Sequence, residues 1–196
     1  MRNKSFILLM TVFFVLSGCN VAKDLGGAYN MTQCKYDFNS ISNLNLAGMN
    51  LSNGISAANI LKLTSILTGN ASSSIPIDFT LNLDVTNQNP TAALLHGLQY
   101  ILSIDGVQFT TGSLNQSINI PGGSKQMLPV VMGFDIGTLL QGETKDAVQN
   151  IIKNFVGINN QQSNINLQIR PTFMIGNYPV TSPVFIPVNF AFGGKK

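Results

Sequence analysis

Apolar and polar side chains alternate along most of the chain, and this two-residue period limits the fold more than any other feature. Residues 77–86 place five apolar side chains on one face and five polar side chains on the other. This pattern is typical of an antiparallel strand with one buried and one solvated face. The alternation recurs in residues 31–40, 98–104, 107–109, 117–120, 128–134, 165–170 and 184–192. Asp105-Gly106 separates two of these segments and is typical of a two-residue hairpin turn.

Two further segments carry apolar residues at helical spacing and predict short helices. In residues 56–68, with Ser56 as the N-cap, the predicted buried stripe consists of Ile60, Leu61, Thr64 and Leu67. In residues 144–156, which Gly157 ends, the stripe consists of Ala147, Val148, Ile151, Ile152 and Phe155. We expect both stripes to cover the core of a sheet.

Together these patterns predict a mainly β protein, a single antiparallel β-sandwich of immunoglobulin-like or fibronectin-like shape with two short helices. The sandwich domain would occupy residues 31–196. Pro183 and Pro187 favour a sheet edge for the last strand, because proline cannot donate a hydrogen bond to a neighbouring strand. A chain of this length buries about 70% of its unfolded surface, which is enough without disulfides.

The amino-terminal residues 1–18 are typical of a secretory signal peptide. Arg2 and Lys4 precede a mostly apolar run of 11 residues at positions 6–16, which is too short to span a bilayer as a helix. The sequence Leu-Ser-Gly-Cys at residues 16–19 resembles the lipobox of bacterial lipoproteins. The sequence therefore predicts export followed by lipid attachment.

The lipobox resemblance implies that the Cys19 thiol receives a diacylglyceryl group and that cleavage makes Cys19 the first mature residue. Two or three acyl chains, at about 0.8 kcal/mol per buried methylene, anchor a protein stably. Residues 19–30 are short and glycine-bearing, so we interpret them as a lipidated tether. The residue after Cys19 is Asn20. An aspartate at this position would resemble the signal that retains lipoproteins in the inner membrane. The asparagine therefore favours the outer membrane of a Gram-negative bacterium within the cell envelope.

Charged residues are scarce, at 10% of the chain, whereas 23 Asn and 11 Gln supply polar surface. Removal of Arg2 and Lys4 with the leader leaves 9 basic and 8 acidic residues. Nucleic-acid binding through a basic face then has no electrostatic support. One histidine and two cysteines also exclude a metal site of the Cys/His type. We expect no cofactor.

The residues that could carry catalysis do not form a recognisable set. Cys34 shares the apolar side of its predicted strand with Tyr36 and Phe38, which favours a buried thiol over a nucleophile. His96 is the only histidine, and no Gly-x-Ser-x-Gly motif supplies a serine nucleophile. The carboxylates show no spacing typical of a glycosidase pair. We therefore expect no catalytic residues and no enzyme.

Residues 83–90, Leu-Asp-Val-Thr-Asn-Gln-Asn-Pro, resemble the strand and Asn-x-Asn-Pro turn of the water-stress and hypersensitive-response domain. The hairpin at residues 98–107 and the Ile-Pro step within 118–124 are similar to the same family. That family includes desiccation-related late-embryogenesis-abundant proteins. The resemblance covers about residues 75–192. It implies an antiparallel sandwich with a protective or binding role and no known catalysis.

Three residues are candidates for contact with a ligand or partner. Asn87 and Asn89 either end a strand by bonding to nearby backbone or contact a ligand directly. Tyr178 lies in Gly-Asn-Tyr-Pro at a predicted hairpin tip, either as a packed turn residue or as a binding aromatic.

From these features we expect a lipid-anchored envelope protein that binds or shields other molecules without catalysis. The alternative is an accessory subunit or adhesion-type module that binds a partner protein or a glycan through a sheet edge or loops. The membrane is the expected partner through the lipid anchor, and a protein is the second. No nucleic-acid or metal partner is expected.

Lipidation at Cys19 can be tested by metabolic labelling with palmitate. The Cys19→Ser variant should lose the label and remain uncleaved, because the thiol that accepts the lipid is absent. The Cys34→Ser variant is the matched control and should keep both label and cleavage, since Cys34 is the other of the two cysteines. Label that persists in Cys19→Ser would rule out the lipoprotein interpretation.

Overall fold

A computed structural model of the protein describes residues 21–52, 55–68 and 74–194. The predicted signal peptide, residues 1–18, and the predicted lipidation site Cys19 lie outside these ranges. Within them the chain forms eleven β-strands and three α-helices. The strands are β1 (Lys35–Leu46), β2 (Met49–Asn50), β3 (Pro76–Thr86), β4 (Ala93–Leu95), β5 (Gly97–Ile104), β6 (Val107–Leu114), β7 (Ile118–Ile120), β8 (Lys125–Asp135), β9 (Ser163–Ile175), β10 (Tyr178–Thr181) and β11 (Ile186–Phe192). The helices are α1 (residues 21–32), α2 (Ala57–Thr68) and α3 (Lys145–Phe155).

The strands form two large antiparallel sheets and one small one. The first sheet has the order β2-β1-β3-β8, and the second has the order β10-β9-β5-β6 with β11 also paired to β9. Strands β4 and β7 form the two-stranded sheet. The mainly β, antiparallel, sandwich-like fold predicted from the alternation is confirmed. The described residues contain one helix more than predicted, which is α1.

One continuous apolar core joins the two large sheets. The inward residues of the central strands β3, β5 and β9 are buried, and α3 adds Val148, Ile151 and Ile152 to the same cluster. At one edge the ring of Phe38 in β1 stacks on the ring of Phe190 in β11, with centroids 4.1 Å apart. This contact joins an edge of the first sheet to the edge strand of the second.

The central position of β3 changes the environment of its polar face. Because β3 lies between β1 and β8, Thr80 and Asn82 are buried although they alternate with the apolar residues. The Asn82 amide donates hydrogen bonds to the hydroxyls of Ser40 and Ser42 on β1, each 3.1 Å long. Side-chain hydrogen bonds thus replace the water that the alternation predicted on this face.

Two turn predictions are confirmed by the backbone angles. Asp105 and Gly106 have φ of 48° and 83° and join β5 to β6. Both residues of such a tight hairpin turn need positive φ, which aspartate tolerates and glycine adopts readily. Gly157 has φ of 74° just after α3, where a left-handed residue ends a helix.

Residues 21–32 are helical, so the tether predicted for residues 19–30 is corrected over the residues that the structure describes. Ala28 and Met31 of α1 are buried in the core. The chain consequently enters β1 at Lys35 rather than at residue 31. Packing against the sheets supplies the stability that the glycine-bearing segment does not have by itself.

The buried face of α2 also differs from the prediction. The helix forms where expected, and the Ser56 hydroxyl accepts a hydrogen bond from the Asn59 N–H at 3.2 Å. Of the predicted stripe, Leu67 is buried as expected, but its buried neighbour is Leu63, and Leu61 is 75% exposed. Apolar residues occur on several sides of this helix, so its periodicity does not select one face.

The corrected face of α2 can be tested by two identical truncations in one helix. The Leu63→Ala variant should lose about 2–5 kcal/mol of unfolding free energy, because it leaves a cavity in the core. The Leu61→Ala variant is the control and should change it by less than about 0.5 kcal/mol, because its side chain is exposed. Urea denaturation followed by circular dichroism measures both values. A larger loss in Leu61→Ala would restore the face predicted from the sequence.

Candidate functional site

The Asn-x-Asn-Pro turn is built around the side chain of Asn87, which follows the last residue of β3. Asn87 is fully buried, with 0% of its surface exposed. Its amide nitrogen lies 2.9, 3.0 and 3.2 Å from the carbonyl oxygens of Thr91, Ile120 and Pro121, respectively. Its amide oxygen accepts hydrogen bonds of 3.0 Å from the main-chain N–H and from the side chain of Asn89.

These contacts join the Asn87 side chain to the carbonyl groups of three residues outside β3. Ile120 ends β7, and Thr91 lies just before β4, so one amide serves the ends of several strands. A buried carbonyl without a hydrogen bond costs about 1–3 kcal/mol. Since the Asn87 side chain is buried and its donor and acceptor are engaged, the geometry favours the turn interpretation over direct ligand contact.

The turn that follows β7 packs directly on the Asn-x-Asn-Pro turn. The N–H of Gly123 donates to the carbonyl of Asn89 at 3.1 Å, and the N–H of Asn87 donates to the carbonyl of Ser124 at 2.8 Å. A Cβ atom on Gly122 would collide with the carbonyl of Pro90. The structure thus brings together two segments that carry the family resemblance in the sequence.

Helix α1 reaches the same turn through Asn30, a residue that the sequence analysis missed. The Asn30 amide donates to the Thr91 hydroxyl at 2.7 Å and to the Ala92 carbonyl at 3.0 Å. The Asn89 amide donates in return to the Asn30 carbonyl at 3.3 Å. No local pattern signals this role, because the partners of Asn30 lie 61 and 62 positions further along the chain.

Tyr178 lies at the start of β10, directly after the turn that contains Gly176, and its side chain is 77% exposed. The hairpin predicted there is confirmed. The carboxylate of Asp24 in α1 accepts a hydrogen bond of 3.1 Å from the N–H of Gly176. Helix α1 therefore contacts both the Asn89 turn and the hairpin that carries Tyr178.

The thiol of Cys34 is buried between α1 and β1, as expected. Its Sγ donates to the carbonyl of Asn30 at 3.3 Å, and the neighbouring Tyr36 hydroxyl donates to the carbonyl of Met31 at 2.8 Å. Burial raises the pKa of the Cys34 thiol from 9.0 to about 11. A thiol with such a pKa stays protonated near neutral pH and is a poor nucleophile.

His96 is exposed just before β5, and its Nδ1 atom lies 3.1 Å from the hydroxyl of Ser117. This serine was not identified from the sequence, because it is 21 positions away from His96 and lies outside any nucleophile motif. The described residues contain no group of three His, Cys, Asp or Glu side chains that could hold a metal ion.

Two carboxylates hold strand ends in place. Asp84 forms an ion pair of 2.6 Å with Lys125, and hydrogen bonds from Lys125 and Asn39 lower the pKa of Asp84. Asp135 accepts hydrogen bonds from the Ser74 hydroxyl and from the N–H groups of Ile75 and Gly137, and these bonds lower the pKa of Asp135. Both groups remain charged acceptors rather than proton donors at neutral pH.

Comparison with known proteins finds matches among solved structures, at low sequence identity and low TM-score. No family model matches the chain, and no curated protein sequence matches it. A crystal structure of a protein from Archaeoglobus fulgidus is 15% identical, over 82% of this chain and 99% of that one, with a TM-score of 0.40. The solution structure of a putative late embryogenesis abundant protein is 13% identical, over 95% of this chain and 88% of that one, with a TM-score of 0.39. At these values the likenesses assign no function to this chain.

The structural role of Asn87 can be tested by removing its amide. The Asn87→Ala variant should lose about 3 kcal/mol or more of unfolding free energy, because the Ile120 and Pro121 carbonyls and the main-chain N–H of Asn89 lose their hydrogen bonds to that amide. The Gln88→Ala variant is the matched control, since Gln88 is exposed in the same turn, and it should be near neutral. Urea denaturation measures both. Equal effects in the two variants would contradict the role assigned to Asn87.

The burial of Cys34 predicts slow chemical modification. A thiol reagent at pH 8 should label the folded protein slowly and the denatured protein at once, with the Cys34→Ser variant as the blank. The labelling rate of the folded protein should increase as the pH approaches the raised thiol pKa of about 11, rather than the ordinary thiol pKa of 9.0. Because the folded-state pKa is raised, this group stabilises the fold below pH 9.0 and loses that contribution as pH increases through about 11. Fast labelling at pH 8 would show an accessible thiol.

Proposed function

We propose that this protein is a lipid-anchored component of the cell envelope whose β-sandwich binds or shields other molecules without catalysis, in a stress-protection role. The proposal rests on the observation that three potentially reactive side chains are buried or already bonded within the fold. The Cys34 thiol is buried and protonated, Asp84 is paired with Lys125, and Asp135 accepts three hydrogen bonds. Side chains held in this way do not supply a nucleophile or a general acid.

The anchor is supported by the signal-peptide pattern and by the Leu-Ser-Gly-Cys sequence at residues 16–19. The residue after Cys19 is asparagine, which favours the outer membrane of a Gram-negative bacterium. No helix among the described residues is long and apolar enough to cross a bilayer. Two or three acyl chains on Cys19 would by themselves hold the protein at a membrane.

The protective role is supported by the surface chemistry and by the resemblance of the Asn-x-Asn-Pro segment to the desiccation-related family. The chain has 34 amide side chains and 19 charged ones, and Gln108, Asn119 and Gln126 are among the exposed amides. Amides donate and accept hydrogen bonds without carrying charge, so they remain available to a neighbouring surface when pH and salt change. This property suits a protein that shields unrelated molecules as water is lost.

A second function, binding of a partner protein, is supported by the edge strand β8. Among the described strands of the first sheet, β8 pairs only with β3. Its side chains Met127 and Val131 are 51% and 58% exposed. An apolar edge strand is a template for the addition of a strand from another protein.

Drying experiments with the full-length acylated protein in lipid vesicles distinguish these functions. A desiccation-sensitive enzyme should retain its activity in proportion to the amount of protein added, because shielding is stoichiometric. The main proposal does not involve β8, so the Met127→Ser/Val131→Ser variant should protect the enzyme as well as the parent protein does. Two results together would favour the second function. The protein would protect the enzyme no better than an unrelated acylated protein, and the Met127→Ser/Val131→Ser variant would no longer bind a partner protein that the parent binds. Ester, peptide or glycoside hydrolysis lost in His96→Ala would contradict the non-catalytic role.

A further inference from the structure

The outward face of α1 is unusual for a surface helix because most of its exposed side chains are apolar. The exposed residues between positions 21 and 29 are Val21, Ala22, Lys23, Leu25, Gly26 and Tyr29. Leu25 and Tyr29 are 50% and 66% exposed. A helix at a protein–water boundary normally presents charged and polar residues outward, so an apolar stripe on its exposed face marks a surface that protein or lipid covers.

Specific contacts hold the inner face of α1 against the sandwich. A Cβ atom on Gly27 would lie 2.6 Å from the Leu94 side chain, so the glycine lets the helix approach β4 closely. Asn30 is bonded to the Asn-x-Asn-Pro turn, and Asp24 is bonded to Gly176. Val21, Leu25 and Tyr29, which are spaced four residues apart, therefore form a fixed apolar stripe on the surface.

The position of this stripe in the sequence indicates what covers it. Val21 is two residues after Cys19, so the Cα atoms of these residues lie at most about 7.6 Å apart. Acyl chains on Cys19 would thus begin within about one helical turn of the stripe. Since α1 is docked on the sandwich, the chain between lipid and domain is too short for the domain to stand away from the membrane.

We infer that the stripe formed by Val21, Leu25 and Tyr29 lies in the interface of the lipid membrane, an inference that rests on the proposed acylation of Cys19. Apolar helix faces enter the headgroup and acyl boundary, and tyrosine is enriched there because its ring is apolar and its hydroxyl is polar. Lys23 is the exposed charge on this helix and complements anionic headgroups.

The same geometry orients the whole domain. Tyr178 and Val180 are 77% and 42% exposed on the hairpin that α1 contacts, so this hairpin lies at the same end of the domain as the stripe. Strand β9 runs from this hairpin to Asn164, whose carbonyl accepts a hydrogen bond from the N–H of Asp105. The Asp105 turn is therefore the membrane-distal end, about 40 Å away along a strand of 13 residues.

The absence of tryptophan from the sequence makes a direct test available. Single tryptophans are introduced as Leu25→Trp and Tyr29→Trp on the stripe, and as Gln108→Trp beside the distal turn as the control. The acylated full-length proteins are reconstituted in vesicles of phosphatidylcholine and phosphatidylglycerol that contain brominated lipid. Bromine should quench the two stripe tryptophans several-fold more than the control, with emission shifted to shorter wavelength. All three positions are exposed, so the larger ring fits without repacking.

Acylation is measured on the same samples, which separates the inference from the proposal on which it rests. Acylated protein whose stripe tryptophans are quenched no more than the Gln108→Trp control would overturn the interfacial position and leave the anchor intact. A shift to shorter wavelength without bromine quenching would mean that protein covers the stripe, and would also overturn it. Absence of acyl groups on Cys19 would remove the anchor and the inference together.

Discussion

The buried amide of Asn87 is the contact on which much of the architecture depends. It joins the end of β3 to the end of β7 and to the segment before β4, and its oxygen positions Asn89. Asn89 and Asn30 then extend the network to α1. Asn87 and Asn30 are buried and Asn89 is half-buried, so water does not freely replace the hydrogen bonds that these side chains make.

Because buried polar groups need hydrogen-bond partners, several potentially reactive residues serve structural roles in this protein. Asp135 accepts hydrogen bonds from the N–H groups of Ile75, just before β3, and Gly137, just after β8. Cys34 fills a gap between α1 and β1, where burial keeps its thiol protonated. His96 and Ser117, in contrast, are exposed, and the Nδ1 atom of His96 lies 3.1 Å from the Ser117 hydroxyl.

Helix α1 connects the asparagine network to the proposed anchor. Its inner face holds Asn30 against the Asn-x-Asn-Pro turn, and its outer face carries the apolar stripe. A membrane contact at the stripe would therefore stabilise the same helix that Asn89 holds in place. Binding of the folded domain to a surface also shifts the equilibrium toward the folded state.

The alternation of side chains was sufficient to predict β3, β5 and β9, because a two-residue period matches one buried face of a sheet. Asp105-Gly106 was sufficient to place a hairpin, because few residues tolerate its backbone angles. Tertiary structure decided the rest. Leu61 and Leu63 are equally apolar, and only the position of the core determines which one is buried. Residues 21–32 become a helix rather than a tether because Asn30 and Gly27 meet partners distant in the chain, which no local pattern encodes.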